Sequence, residues 1–169
     1  MTAQKKGLTK STKWGLLIGL GGLSILSYFL RSGGMKYLNP DHAKRVAEVS
    51  MRIKARLQYH SIAEEYHPMI LGQAYHETGA FTSNAFENGF NCFGISPGGK
   101  LAKYDSIESS VDRYVSLIQL RIYQDGGVEP PATFIGYAEF LKRHKYFEDS
   151  LITYVNGMIN GWKQISKKI

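Results

Sequence analysis

The chain has 169 residues and a formal net charge of +7, which allows one folded domain with its own core plus an appendage. Five of the 21 basic residues lie within residues 1–31, where no acidic residue occurs, so the rest of the chain is nearly neutral. A nucleic-acid-binding domain carries its basic residues on its folded surface, and this charge distribution therefore argues against a nucleic-acid partner. The single cysteine, Cys92, excludes an intramolecular disulfide, and its apolar neighbours predict a buried thiol.

The N-terminal region contains a long uncharged segment. Residues 1–13 are polar and basic, whereas residues 14–30, WGLLIGLGGLSILSYFL, contain no charged side chain. As a helix this segment would be roughly 26 Å long, close to the thickness of the hydrocarbon core of a bilayer. Trp14 and Tyr28 are placed as interfacial anchors, and the preceding lysines predict an N-terminus on the cytoplasmic side.

We therefore expect a basic inner tail at residues 1–13, a transmembrane helix at 14–30, a linker at 31–40 and a folded domain at 41–169. A cleaved signal peptide and a buried core helix are the alternatives. The segment is long for a signal peptide, and no clear cleavage site follows it.

Helical periodicity predicts the first two elements of the folded domain. An apolar stripe of Val46, Val49, Ile53 and Leu57 predicts a helix that starts at the cap Asp41 and ends at Tyr59. Its basic face is either solvated or in contact with an acidic lipid or polymer. A second helix is predicted from Pro68, a favoured first position, to Glu77, followed by Gly79 as a C-terminal cap.

The remaining elements are a hairpin and three helices. After a polar loop at residues 81–89, the segments NCFGIS and KLAKYD flank Pro97-Gly98-Gly99, which predicts a small β-hairpin over residues 91–104. The three predicted helices run from the cap Asp105 to Gln124, from the cap Thr133 to His144, and from Glu148 to Ile165. In the first of them, Glu108 is expected to complete a capping box with Asp105.

These elements predict an α+β fold that is mostly α. A helical lobe and one β-hairpin lobe would enclose a cleft, with Glu77 at its base. Because Glu77 lies in the last turn of its helix, near the negative end of the helix dipole, its pKa should be raised. A carboxyl group that stays protonated near neutral pH is suited to general acid catalysis.

The segment QAYHETGAFTSNAF, followed by NCFGIS, resembles the signature of bacterial glucosaminidases. That group includes the muramidase-like domain of flagellar rod-cap autolysins, in glycoside hydrolase family seventy-three. The matching residues are Ala74, Glu77, Thr78, Gly79, Asn91, Phe93, Gly94 and Ile95. A later landmark of the family has its counterparts in Tyr104, Ser106, Ser110 and Tyr114, and Arg113 stands where an acid is common. A last landmark has weaker counterparts, because its spacing is stretched: Ala138, Leu141, Tyr146, Asp149 and Tyr154.

The resemblance spans about residues 60–160 and implies a lysozyme-like fold that cleaves the glycan strand of peptidoglycan, usually after N-acetylglucosamine. It makes Glu77 the general acid and Asn91, Phe93, Tyr104 and Tyr146 candidate substrate-binding residues. Hydrolysis commonly uses a second carboxylate, and Glu87 on the loop is the tentative candidate, with a tyrosine-held water as the alternative. The histidines lack metal-binding spacing, so we expect no metal and no cofactor.

Other functions stay open on the sequence alone. A lytic transglycosylase of the same fold would use one acid and close an anhydro ring on the sugar, but the segment Phe93-Gly94-Ile95-Ser96 favours the glucosaminidase. A muramidase of the same fold is a second alternative. A non-catalytic wall-binding protein and a structural protein of a lipid-containing phage virion are further alternatives. The expected location is a single-pass membrane protein with its domain on the cell-wall side, or the internal membrane of such a virion.

Overall fold

The computed structural model describes residues 40–169, and the predicted tail and transmembrane helix lie outside this range. Within residues 40–169, no helix combines the length and the apolar composition needed to cross a membrane. The helices are α1 (Pro40–Tyr59), α2 (His67–Glu77), α3 (Asn84–Glu87), α4 (Ile107–Gln124), α5 (Phe134–Arg143) and α6 (Leu151–Ile165), with 3₁₀ turns at Glu64–Tyr66 and Pro97–Gly99.

The prediction of a mostly helical domain is confirmed, with differences at some helix ends. Thr133 caps α5 as predicted, since its side chain accepts a hydrogen bond from the Gly136 N–H. The cap predicted for α4 is wrong by one residue: Ser106 caps that helix, and Ser109 completes the capping box. The short helix α3 lies inside the predicted loop, where Ser83 accepts from the Phe86 N–H.

The predicted β-hairpin at residues 91–104 is wrong, because residues 40–169 contain no strand. One backbone hydrogen bond joins the two arms, from the Ala102 N–H to the Ile95 carbonyl at 2.9 Å. The Asn91 side chain adds to it: its Nδ2 donates to the carbonyls of Ile95 (2.9 Å) and Ala102 (3.1 Å), while its Oδ1 accepts from the Ile95 N–H (3.0 Å). Gly94, with a φ of +62°, turns the chain out of an extended conformation. The result is a side-chain-linked loop, here called the 91–104 loop.

The basic face of α1 is solvated in part, since Lys44 and Lys54 are exposed, but its arginines are paired with neighbouring helices. Arg52 and Arg56 each bind a carboxylate of α4 through two nitrogens, Glu108 at 2.8 Å and Asp112 at 2.6 and 2.8 Å. Arg45 binds Glu87 of α3 at 3.1 Å. These arginines therefore link α1 to its neighbours through partly exposed ion pairs, which are modest contributors to stability.

The closest helix packing in the described domain joins α2 to α6. A Cβ atom added to Gly72 would lie 2.3 Å from the Met158 carbonyl oxygen, and one added to Gly161 would lie 2.6 Å from the Gly72 oxygen. Such distances leave no room for a side chain at either position. This packing fixes the position of α6 relative to the end of α2, where Glu77 lies.

Candidate active site

Glu77 is the last residue of α2, as the sequence predicted. The chain leaves the helix through a turn held by Thr78, whose hydroxyl donates to the Ala74 carbonyl at 2.7 Å and accepts from the Phe81 N–H at 2.9 Å. Gly79 follows with a φ of +56°, a conformation that suits glycine after a helix end. Local sequence signals therefore place this carboxylate.

Two distant segments contact the two oxygens of the Glu77 carboxyl group. The Tyr154 hydroxyl of α6 donates to Oε1 at 2.5 Å. The backbone of Gly94 lies against Oε2, since a Cβ atom on Gly94 would be only 2.8 Å from it. The Phe147 ring stacks on the Tyr154 ring at 3.7 Å and holds that phenol in place. The carboxyl group is thus oriented on both sides.

The electrostatic environment of Glu77 favours its neutral form. Burial of the carboxyl group raises its pKa from 4.5 to about 7, the Tyr154 hydrogen bond lowers it, and the negative charge of Asp149 raises it. Protein atoms surround the carboxyl group, yet the residue keeps partial exposure to solvent. A large share of Glu77 is therefore protonated at neutral pH and accessible from outside, as general acid catalysis requires.

Tyr146 joins the 91–104 loop to the helical part of the domain beside this carboxyl group. Its hydroxyl donates to the Phe93 carbonyl at 2.5 Å, and the Arg121 guanidinium lies 5.2 Å from the centre of its ring. The Phe93 ring stacks on Tyr114 with centroids 3.9 Å apart. These contacts fix the residue that precedes Gly94, and so they fix the wall of the site next to Glu77.

The candidate substrate-binding residues fall into two groups. Asn91 and Phe93 are 1% and 0% exposed and hold the 91–104 loop together, whereas Tyr104 and Tyr146 are partly exposed. Glu87, the tentative second carboxylate, is exposed and paired with Arg45. Their roles in binding and catalysis stay predictions.

Three contributors to the site were not assigned to it from the sequence. From the sequence, neither Tyr154 nor Asp149 was paired with Glu77. Both belong to the late family motif with stretched spacing, which was the available signal. Gly94 was part of the matched motif, but its contact with Glu77 is visible only in the structure. Cys92 is buried as predicted, and burial raises the pKa of its thiol to about 12.

The sequence of the chain also matches a model of a known protein family. The model described as mannosyl-glycoprotein endo-beta-N-acetylglucosaminidase matches residues 39–167, which is most of the chain. The chain belongs to the glucosaminidase family. This glucosaminidase is a glycosidase that acts on peptidoglycan, and its helix-rich structure fits a lysozyme-like fold. No curated protein and no solved structure matched it.

The contact between Gly94 and Glu77 generates a prediction with a matched control. Gly94→Ala should lower both the stability and the glycan-cleaving activity, because the new methyl group would displace the Glu77 carboxyl group. Gly98 has the same φ of +62° but no atom within 4 Å of an added Cβ. Gly98→Ala should therefore cost only about 1–2 kcal/mol of unfolding free energy, for the left-handed backbone, and keep the activity.

Thermal unfolding and initial rates on purified sacculi, measured for both variants, check this expectation. Equal activity losses in Gly94→Ala and Gly98→Ala would show that the conformation of the loop, and not the contact with Glu77, matters at residue 94.

Proposed function

We propose that this glucosaminidase cleaves the glycan strand of peptidoglycan after N-acetylglucosamine, with Glu77 as the general acid. The observation that carries the proposal is a carboxyl group with a pKa of about 7, oriented by Tyr154 and Gly94 and still partly exposed. A leaving glycosidic oxygen needs a proton as its bond to the anomeric carbon breaks.

The contacts of Glu77 indicate which oxygen carries that proton. Tyr154 donates to Oε1, so the proton of the neutral acid lies on Oε2. When Oε2 transfers its proton to the leaving oxygen, the carbon–oxygen bond breaks and an oxocarbenium-like centre forms. Water then adds to the anomeric carbon and gives up a proton to a carboxylate of the site, which releases it to solvent, while Glu77 takes up a proton from solvent. The Tyr154 hydrogen bond strengthens as Glu77 becomes charged, and it therefore stabilises the product carboxylate.

Two carboxylates are candidates for assisting the water. Glu87 is the residue predicted from the sequence, and it would have to leave its ion pair with Arg45 to act. Asp149 is partly exposed and its charge raises the pKa of Glu77. This electrostatic coupling favours Asp149 as the anion that faces the developing positive charge.

Replacement of Glu77 tests the general acid. Glu77→Gln keeps the shape of the side chain and its contact with Tyr154, but the amide cannot deliver a proton, so release of muropeptides from sacculi should fall by roughly 10²-fold or more. Glu87→Gln is the companion variant, and activity near the unmodified level is expected because its ion pair is exposed. An active Glu77→Gln enzyme would contradict the proposal.

Mass spectrometry of the products of the unmodified enzyme separates the remaining chemistries. Reducing N-acetylglucosamine ends support the proposed bond, reducing N-acetylmuramic acid ends indicate a muramidase, and anhydro ends indicate a lytic transglycosylase.

The pH dependence of cleavage provides a second test. The acid must be protonated, so activity should decline as pH rises through the Glu77 pKa of about 7. Tyr154→Phe removes the hydrogen bond that lowers this pKa and should move the decline to higher pH. Asp149→Asn removes the charge that raises it and should move the decline to lower pH. The measurement is the midpoint of the alkaline limb of the kcat/KM profile for the unmodified enzyme, Tyr154→Phe and Asp149→Asn. If both variants shifted this midpoint in the same direction, Glu77 would not be the titrating acid.

We further propose that residues 14–30 anchor this domain in a membrane, with the domain on the side where peptidoglycan lies. The uncharged 17-residue segment and its basic flank support the proposal. The full chain should stay in the membrane fraction after washing with alkaline carbonate, and a chain with Leu17 and Leu20 replaced by Lys should be released. Equal release of both chains would contradict the anchor.

A further inference from the structure

The ring of His76 lies between α2 and α6, beside the candidate active site. His76 precedes Glu77 on α2, so the two side chains leave the helix about 100° apart around its axis. A Cβ atom added to Gly157 of α6 would lie only 2.4 Å from both Cε1 and Nδ1 of the His76 ring. The ring therefore fills the space that a β-carbon would need at residue 157, and it lies directly against the backbone of α6.

The same ring contacts the phenol that binds Glu77. The ring centroids of His76 and Tyr154 are 5.3 Å apart and the ring planes cross at 83°, an edge-to-face arrangement that aromatic pairs favour. Gly157 follows Tyr154 by three residues, so both lie on one side of α6. The Phe147 ring stacks on Tyr154 in a nearly parallel orientation, at 3.7 Å and 3°. Two rings in different orientations thus confine the phenol.

His76 acts on its neighbours as an uncharged ring. Burial lowers the pKa of its imidazole from the ordinary value of 6.5, although the negative charge of Asp149 acts in the opposite direction. Asp149 also raises the pKa of Glu77, on which Tyr154 acts through its hydrogen bond, and Glu77 in turn raises the pKa of Tyr146. At neutral pH the imidazole therefore contributes packing and adds no positive charge beside the carboxyl group.

We propose that His76 is a positioning residue for the acid, because its ring, fixed on Gly157, holds the Tyr154 hydroxyl at Oε1 of Glu77. Removal of the ring would leave a space beside Tyr154 into which the phenol can turn. The hydrogen bond from Tyr154 to Glu77 is 2.5 Å long, and a displaced or tilted hydroxyl would weaken it steeply. This inference rests on the proposed role of Glu77 only in naming the acid, since the contact itself can be tested without cleavage.

A double-mutant cycle on the pKa of Glu77 tests the contact. The pKa is measured by carbon-13 NMR of the glutamate carboxyl groups in the full chain in detergent micelles, and Glu77→Gln identifies the resonance. Tyr154→Phe should raise this pKa, because it removes the hydrogen bond that lowers it. In the His76→Ala background the same substitution should raise the pKa by less than half as much, since coupled residues are not additive.

Two further backgrounds distinguish the ring contact from a general loss of packing. His76→Phe retains a ring at this position and should restore most of the effect of Tyr154→Phe. His60 is the matched control, because it forms a ring pair with Tyr59 of similar geometry, at 5.3 Å and 86°, and its side chain binds Asp112. In the His60→Ala background Tyr154→Phe should produce its full effect.

Equal effects of Tyr154→Phe in the unmodified and His76→Ala backgrounds would overturn the proposal, because His76 would then contribute burial alone. A His76→Phe background that behaves like His76→Ala would overturn it as well. The measurement uses no substrate, so its outcome is separate from that of the proposed function. An active Glu77→Gln enzyme would contradict the general acid and would leave the reduced effect in His76→Ala, and the contact it reports, unchanged.

Discussion

The backbone contact between α2 and α6 determines where the Glu77 carboxyl group and the Tyr154 hydroxyl meet. At Gly72 and Gly161 the two helices approach so closely that a methyl group at either position would collide with the opposite backbone or its neighbour. Tyr154 lies on α6, about two turns before Gly161, and reaches Glu77 across this contact. A separation of the helices by the width of one methyl group would break a hydrogen bond of 2.5 Å. The orientation of the acid therefore depends on residues that never touch it.

Helix α2 is the axis along which the polar groups of the domain are arranged. Glu77 lies at its C-terminal end and the buried His67 at its N-terminal end. Between them, Gln73 accepts a hydrogen bond from Tyr114, on which Phe93 stacks. The same buried tyrosine thus links the centre of α2 to the loop that carries Gly94. This hydrogen bond and the ring stacking together hold the loop beside the carboxyl group.

The parts of the site that depend on local signals were predictable from the sequence. Pro68 marks the start of this helix and Gly79 follows its end at Glu77, and each of these signals acts within a few residues. The hairpin prediction failed for a reason that is not local: the turn residues 97–99 and one backbone hydrogen bond between the arms, from Ala102 to Ile95, are present, but the Asn91 side chain makes the other hydrogen bonds at this point. The partnership of Tyr154 with Glu77 spans 77 residues, and helical spacing alone cannot distinguish a buried tyrosine in the core from one that faces a carboxyl group.

Burial and hydrogen bonding act on the pKa of Glu77 in opposite directions, and the combination suits the proposed role of Glu77 as a general acid. Burial alone would raise the pKa further and leave the carboxylate poorly solvated after proton transfer. The Tyr154 hydrogen bond alone would lower the pKa and leave little neutral acid at the start. With both present the pKa is about 7, so the cost of forming each protonation state is small near neutral pH. Gly94 contributes to the burial that raises the pKa of Glu77. Tyr154, whose ring stacks on Phe147, supplies the hydrogen bond that lowers this pKa.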